Sequence, residues 1–265
     1  MKVRDYPRFK SVLVPASFSD LIGDICGDDY NLNFLSRFWR GQAQIDWRID
    51  STAYRRAQDS GTLYKKNPHK SAIGNDQRLL ARAKHLGFDI DGGRRLSDWQ
   101  LIAKLRHFGA ATSLLDVSKN PLVALWFASS SDQKKTGLLV GVHCHHVGGS
   151  EGDNTTWGDY LEELKDTITF SHPMLFDPSI VSPRVSAQSS VFLFGKESGS
   201  RMGSIVYEEI LHAYKFYAIT PKIKIEAMTI LDQVFGINRM SLFPDIEGFS
   251  QANSPLYDIS ANDRW

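Results

Sequence analysis

The chain has 265 residues, 42% of them hydrophobic and 23% charged, and this composition excludes a disordered or low-complexity protein. A formal net charge of +1 argues against a protein that mainly coats nucleic acid. The two cysteines cannot form a disulfide framework, and no stretch is apolar for long enough to span a bilayer. We therefore expect one cytoplasmic domain and no contact with a membrane.

Basic residues are concentrated in one part of the chain. Between Arg37 and Lys84 there are 11 Lys and Arg residues against 4 Asp and Glu, a local excess of seven. Such a region can attract a phosphate-bearing partner, or it can be the solvated face of ordinary helices. The sequence leaves both interpretations open.

The apolar periodicity predicts helices and strands in mixed order. The predicted helices cover residues 15–28, 75–88, 98–109, 121–130, 160–166 and 222–235. The predicted strands cover residues 34–39, 136–146, 189–194 and 214–219. This order favours an α+β fold, a single compact domain with a mixed or antiparallel sheet flanked by helices. Within a domain that covers residues 1–265, we expect 1–30 to be a helical lead-in and 222–265 a closing segment of helix and loop.

Two helix starts can be predicted from capping residues. Asp98 is expected to cap the helix that ends at Gly109, and Asn120 to cap a helix whose first residue is Pro121. The second helix is apolar on nearly all sides, which predicts that it is buried in the core. The side chains expected to be largely buried there are Leu114, Leu122, Leu125, Trp126 and Phe127.

Four short motifs occur in a fixed order along the chain. They are Phe38-Trp39-Arg40-Gly41-Gln42 followed by Trp47 and Arg55; His107-x-Gly109-x-x-Thr112-x-Leu114-Leu115-Asp116 followed by Asn120-Pro121; Pro183-Arg184 with Gln188 and Phe192; and Leu242-Phe243-Pro244-Asp245 with Gly248. Together they resemble the FRG-domain family. The chain departs from the family pattern at Trp39, Arg106 and Ser113, where the family usually has Phe, Gln and Arg.

The resemblance implies a core like that of ADP-ribosyltransferases and a bacterial or phage-associated setting of toxins or antiphage defence. On that analogy the substrate is NAD, and the reaction is either transfer of ADP-ribose to a protein or nucleic acid or hydrolysis of the nicotinamide bond. The implied catalytic residues are Arg40, His107, Gln188 and Glu247. The residues implied to bind the dinucleotide are Arg40, Gly41, Gln42, Thr112, Asp116, Arg184 and Ser189.

Three of these residues, Arg40, His107 and Glu247, also have a structural interpretation. Arg40 can hold a pyrophosphate with its planar guanidinium, or it can pair with Asp116. His107 can act as a general base, or it can satisfy the last carbonyls of a helix. Glu247 can stabilise a developing oxocarbenium ion or can be a solvated carboxylate in a turn.

Other candidates come from the residues alone. Glu208 and Glu209 compete with Glu247 for the role of catalytic carboxylate. If the segment 143–146 is a strand, His143 and His145 lie on one face, but no second ligand cluster accompanies them, so we expect no metal site. The rival to an NAD enzyme is a binding module whose basic region, residues 37–84, docks a nucleic acid or a protein.

Overall fold

A large mixed sheet organises the molecule. The structure is a computed structural model, and it describes residues 1–28, 36–59, 67–149, 151–152, 158–206 and 213–254. Its strands are β1 (Lys2–Arg4), β2 (Val12–Val14), β3 (Ser36–Gln42), β4 (Ile90–Asp91), β5 (Arg94–Arg95), β6 (Leu115–Ser118), β7 (Gly137–His143), β8 (Met174–Phe176), β9 (Ser190–Phe194) and β10 (Tyr214–Ile219). Eight of them form one sheet in the order β1-β2-β10-β7-β3-β6-β9-β8, and β4 pairs with β5 separately.

Helices pack against this sheet. They are α1 (Phe18–Asp28), α2 (Thr52–Asp59), α3 (Pro68–His85), α4 (Asp98–His107), α5 (Pro121–Ser129), α6 (Tyr160–Asp166), α7 (Pro183–Ala187), α8 (Pro221–Gln233), α9 (Arg239–Leu242) and α10 (Ile246–Ala252). Within the sheet β10 runs parallel to β2, whereas the other pairs are antiparallel. The predicted α+β class, one compact domain with a mixed sheet flanked by helices, is confirmed. No helix in the described part of the chain is long and apolar enough to cross a membrane.

One of the two capping predictions is wrong. Ser97 caps α4, because its hydroxyl accepts from the Gln100 amide while the Gln100 side chain accepts from the Ser97 amide. Asp98 is the first helical residue. The prediction for α5 is confirmed, since the Asn120 side chain accepts from the Leu122 amide.

Two further sequence predictions need correction. The region 1–30 is more than a helical lead-in, because β1 and β2 join the large sheet before α1 begins. The segment between α4 and α5 contains β6, which pairs with both β3 and β9. Asp116 therefore lies on a strand that is missing from the predicted strands. The final residues, 255–265, lie outside the described part of the chain.

Helix α5 lies in the core, as its composition predicts. Leu125 has no exposed surface, and Leu114 and Trp126 are also buried. Leu122 and Phe127 are only partly buried. Phe127 keeps some exposure because it borders two cavities.

Strand β3 and helix α5 make an unusually close contact at Gly41. A Cβ atom on Gly41 would lie 1.7 Å from the Ala124 carbonyl oxygen, so no larger residue fits there. Helix α5 therefore fills the space beside the Cα of Gly41.

Candidate functional site

Five of the predicted site residues line one cavity of about 300 Å³. Arg40 and Gly41 lie on β3, His107 ends α4, Asp116 lies on β6, and Gln188 directly follows α7. They meet because β3, β6 and β9 are neighbours in the sheet. The remaining lining residues are Trp39, Arg106, Gly109, Val117, Ser118, Val123, Ala124, Phe127, Ser190 and Phe243.

Arg40 is bound at one nitrogen and unsatisfied at another. Its Nη1 donates to the Asp116 carbonyl oxygen at 2.7 Å. Its Nε is buried and has no hydrogen-bond partner among the described residues. Burial lowers the pKa of Arg40 to about 10; Asp116 opposes this shift, and Arg106 and Arg55 add to it. The guanidinium is therefore still charged at neutral pH, with donor capacity left for a ligand.

Arg106 is the ion-pair partner of Asp116. Its Nε and Nη2 donate to Oδ2 of Asp116 at 2.9 and 2.5 Å. Burial alone would raise the pKa of Asp116, but Arg106 and, more weakly, Arg40 and His107 hold that pKa below its usual value. Of the two alternatives for Arg40, the pair with Asp116 is formed only at the Asp116 main-chain carbonyl, and the carboxylate pairs with Arg106. The departure from the family's usual Gln at this position was the available signal.

His107 offers a neutral imidazole to the cavity. Its Nε2 is buried and unpartnered within the described part of the chain, and its ring meets Phe192 edge-on with 5.3 Å between centroids. Burial lowers the pKa of His107, Asp116 opposes this, and Arg106 and Arg184 lower it further. At neutral pH the side chain can therefore accept a proton.

Gln188 is held by structural hydrogen bonds. Its side-chain Nε2 donates to the Leu242 carbonyl at 2.9 Å, and its main-chain carbonyl accepts from the Ser118 hydroxyl at 2.7 Å. Ser189 has a positive φ of 46° and its carbonyl accepts from the Lys119 amide. Ser189 does not line the cavity, whereas its neighbour Ser190 does.

Arg184 and Glu247 pair with each other outside the lining of this cavity. Arg184 Nη2 donates to Glu247 Oε2 at 2.8 Å, and Arg184 also binds both carboxylate oxygens of Asp245. Its Nη1 donates to the His107 carbonyl at 2.9 Å. Arg184 therefore positions the end of α4, and the structure does not bring Glu247 together with Arg40. Glu208 and Glu209 lie outside the described residues.

Thr112 also has a structural place in the described chain. It is fully buried, and its carbonyl accepts from the Ala53 amide and from the Thr52 hydroxyl. Its side chain lines neither of the cavities that Arg40 borders. Thr112 thus connects α2 to the segment before β6.

A second cavity, of about 540 Å³, also has Arg40 in its lining. The two cavities share Arg40, Gly41 and Phe127. Gln42 also lines the second one, although its Nε2 is engaged by the Trp47 carbonyl at 2.9 Å. Its other lining residues are Arg8, Ala43, Asp46, Trp47, Arg48, Asp50, Arg55, Ser130 and Ser131. Arg40 thus stands at the junction of two adjacent cavities.

Lys224, which no sequence pattern marked, stabilises the second cavity. Its fully buried ammonium donates to the carbonyls of Ala43, Ser131 and Asp132 at 2.8, 2.9 and 3.1 Å. Burial lowers the pKa of Lys224, and Asp132 partly offsets this. Because Ala43 and Ser131 line the cavity, Lys224 fixes the separation of two of its sides.

The histidine cluster does not have the predicted geometry. Strand β7 ends at His143, and residues 144–146 form a short 3-10 helix. His143 Nδ1 accepts from the His145 main-chain amide. The two residues are therefore not alternate positions of one strand, as the sequence predicted. The described residues include no group of three or more His, Cys, Asp or Glu side chains that could hold a metal ion.

Part of the chain matches a known protein family. The model of the family described as the FRG domain matches residues 36–137. That range includes Arg40, Arg106, His107 and Asp116, whereas Gln188 lies beyond it. No curated protein and no solved structure matches the chain.

Proposed function

We propose that this cleft binds NAD or a closely related dinucleotide, because residues 36–137 match the FRG-domain model and Arg40 of that range lines both cavities. The bound dinucleotide would lose nicotinamide, and its ADP-ribose would go to water or to a macromolecular acceptor. Depletion of the cell's NAD, or transfer of ADP-ribose to a macromolecule, would fit a toxin or a defence effector. The observation that carries the proposal is the position of Arg40.

A dinucleotide matches the shape of the cleft. It consists of two nucleoside halves joined by a pyrophosphate, and the cleft consists of two cavities that share Arg40, Gly41 and Phe127 in their linings. Arginine binds phosphate oxygens in two-point geometry, and the buried Nε of Arg40 lacks a partner among the described residues. Cavities of about 300 and 540 Å³ are within the usual range for small-molecule sites.

The chemistry would take place in the smaller cavity. When the bond between nicotinamide and ribose breaks, the pyridine nitrogen keeps the bonding electrons and the ribose carbon develops positive charge. The Asp116 carboxylate lines this cavity, and its Oδ1 accepts no hydrogen bond from a described residue, so it can stabilise that charge. The attacking hydroxyl then bonds to the ribose carbon and gives its proton to the neutral His107.

In this proposal Asp116 takes the role that the sequence assigned to Glu247. Glu247 forms an ion pair with Arg184 and does not line the cavity. The ion pair between Asp116 and Arg106 favours a second candidate, a binding module in which Asp116 is structural. That alternative predicts NAD binding without release of nicotinamide.

The experiment combines calorimetric titration with NAD and chromatographic detection of nicotinamide. In the Arg40→Lys variant we expect NAD affinity to fall at least about tenfold, because lysine keeps the charge and loses the two-point geometry. Arg94→Lys is the matched control, since Arg94 is exposed on β5 and lines neither cavity. Equal NAD affinity in both variants, or no binding of NAD at millimolar concentration, would contradict the proposal.

A further inference from the structure

A third cavity, of about 510 Å³, lies between helices α2 and α3 and shares no lining residue with the cleft. We call it the α2/α3 groove. Arg56 of α2 and Arg78 and Arg82 of α3 line it, and none of its lining residues is acidic. The groove therefore concentrates positive charge from the basic region of the sequence.

The arginines of α3 are available to a ligand. Arg78 and Arg82 are four residues apart, so they lie on one face of the helix about 6 Å apart along its axis. Both are exposed, and neither takes part in an ion pair among the described residues. Lys84, at the end of the same helix, pairs with Asp98 of α4. The positive charge of this face is thus not neutralised within the described structure.

Apolar side chains complete the groove. Leu86 and Phe88, just beyond the end of α3, are 62% and 58% exposed, and both line the groove. Leu79 and Leu105 line it more deeply, where they are partly buried. An exposed phenyl ring beside arginines offers a stacking surface for a planar base.

We propose that the α2/α3 groove binds single-stranded nucleic acid, with phosphates at Arg78 and Arg82 and a base against Phe88. The regular spacing of two arginines on one helix face suits a polymer with a repeated negative charge. The exposed ring beside them suits stacking that does not depend on base identity. The inference stands on a separate cavity and does not depend on the NAD proposal.

The test measures fluorescence anisotropy of a labelled 12-nucleotide oligouridine and a labelled oligothymidine over a range of salt concentrations. The double variant Arg78→Ala/Arg82→Ala should bind about tenfold or more weakly. The slope of log affinity against log salt should become shallower by about 1.4, at about 0.7 for each lost phosphate contact. Phe88→Ala should weaken binding about fivefold or more and leave that slope unchanged, because it removes stacking and no charge.

The control is Lys134→Ala/Lys135→Ala, which removes two exposed basic residues that do not line the groove. Its affinity should equal that of the unmodified protein, and thermal melting should show that all variants remain folded. No binding at 50 mM salt, equal loss in the control, or displacement of the oligonucleotide by an equally tight polyglutamate peptide would overturn the proposal. NAD titration of the groove variants should give unchanged affinity, which separates this test from that of the cleft.

Discussion

Arg106 donates two hydrogen bonds to a single oxygen of Asp116, and this ion pair lines the cavity that Arg40 borders. The pair joins the last turn of α4 to strand β6. It accounts for the low pKa of Asp116 despite burial, and it leaves the other carboxylate oxygen without a described donor. The same contact therefore contributes both to the fold and to the charge of the cleft.

Removal of Arg106 should destabilise the protein. In Arg106→Leu the Asp116 carboxylate loses its partner, and we expect the free energy of unfolding to fall by about 1–3 kcal/mol. This is less than for a fully buried pair, because the Asp116 side chain is 34% exposed and is screened by water. Urea unfolding measures the change. Arg106→Gln, which can still donate one hydrogen bond, should cost less, and an equal cost in both variants would show that hydrogen bonding to Asp116 does not contribute.

Leu125 should be much less tolerant of truncation than Leu122. Leu125 is fully buried in the core around α5, whereas Leu122 is only partly buried on the same helix. Leu125→Ala should cost about 2–5 kcal/mol in urea unfolding, through lost burial and a residual cavity. Leu122→Ala is the matched control and should cost clearly less. A loss near zero for Leu125→Ala would show that α5 is not packed as described.

Gly41 should not accept even one additional methyl group. The Cβ of Gly41→Ala would overlap the Ala124 carbonyl, so β3 and α5 would have to separate. We expect a large drop in melting temperature or loss of soluble protein. In Gly23→Ala the new methyl group meets no atom within 4 Å, and its position inside α1 favours alanine by up to about 1 kcal/mol. A melting temperature for Gly41→Ala like that of Gly23→Ala would contradict this close contact.

Asp76 should make stability depend on pH. Burial raises its pKa to about 6, although hydrogen bonds from Tyr160 and Ser113 oppose the shift. The folded state therefore binds this proton more tightly than the unfolded state, whose pKa is about 3.9. Its stabilising contribution is complete below about pH 4 and is lost as the pH rises through about 6.

The Asp76→Asn variant tests this dependence. Asparagine cannot ionise, so the free energy of unfolding of the variant minus that of the unmodified protein should increase between pH 4 and pH 7. Melting curves at pH steps across that range provide the comparison, with Asp59→Asn as an exposed control. A difference that stays constant with pH would show that Asp76 does not titrate in this range.

Local patterns predicted the elements with strong local signals. The start of α5 at Asn120, the full extent of α6, and strand β10 all follow from capping residues or from apolar runs. Strand β6 could not be predicted, because its four residues are too few to show alternation and its partners, β3 and β9, come from distant parts of the chain.

The sequence predicted which residues line the site, but it did not predict which of them pair with each other. The motifs selected Arg40, His107 and Asp116, which the fold brings to one cavity. The Arg106 partner of Asp116 depends on how α4 docks beside β6, and no residue spacing encodes that. The junction of two cavities at Arg40 likewise depends on the packing of α5 over Gly41.

A crystal structure with bound NAD, or with an analogue that cannot release nicotinamide, tests the central claim most directly. We predict that the two halves of the dinucleotide occupy the two adjacent cavities and that pyrophosphate oxygens lie about 3 Å from the guanidinium nitrogens of Arg40. The nicotinamide end should lie in the smaller cavity beside His107 and Asp116. A dinucleotide bound elsewhere, or a cleft that stays empty in crystals soaked with NAD at saturating concentration, would contradict the account.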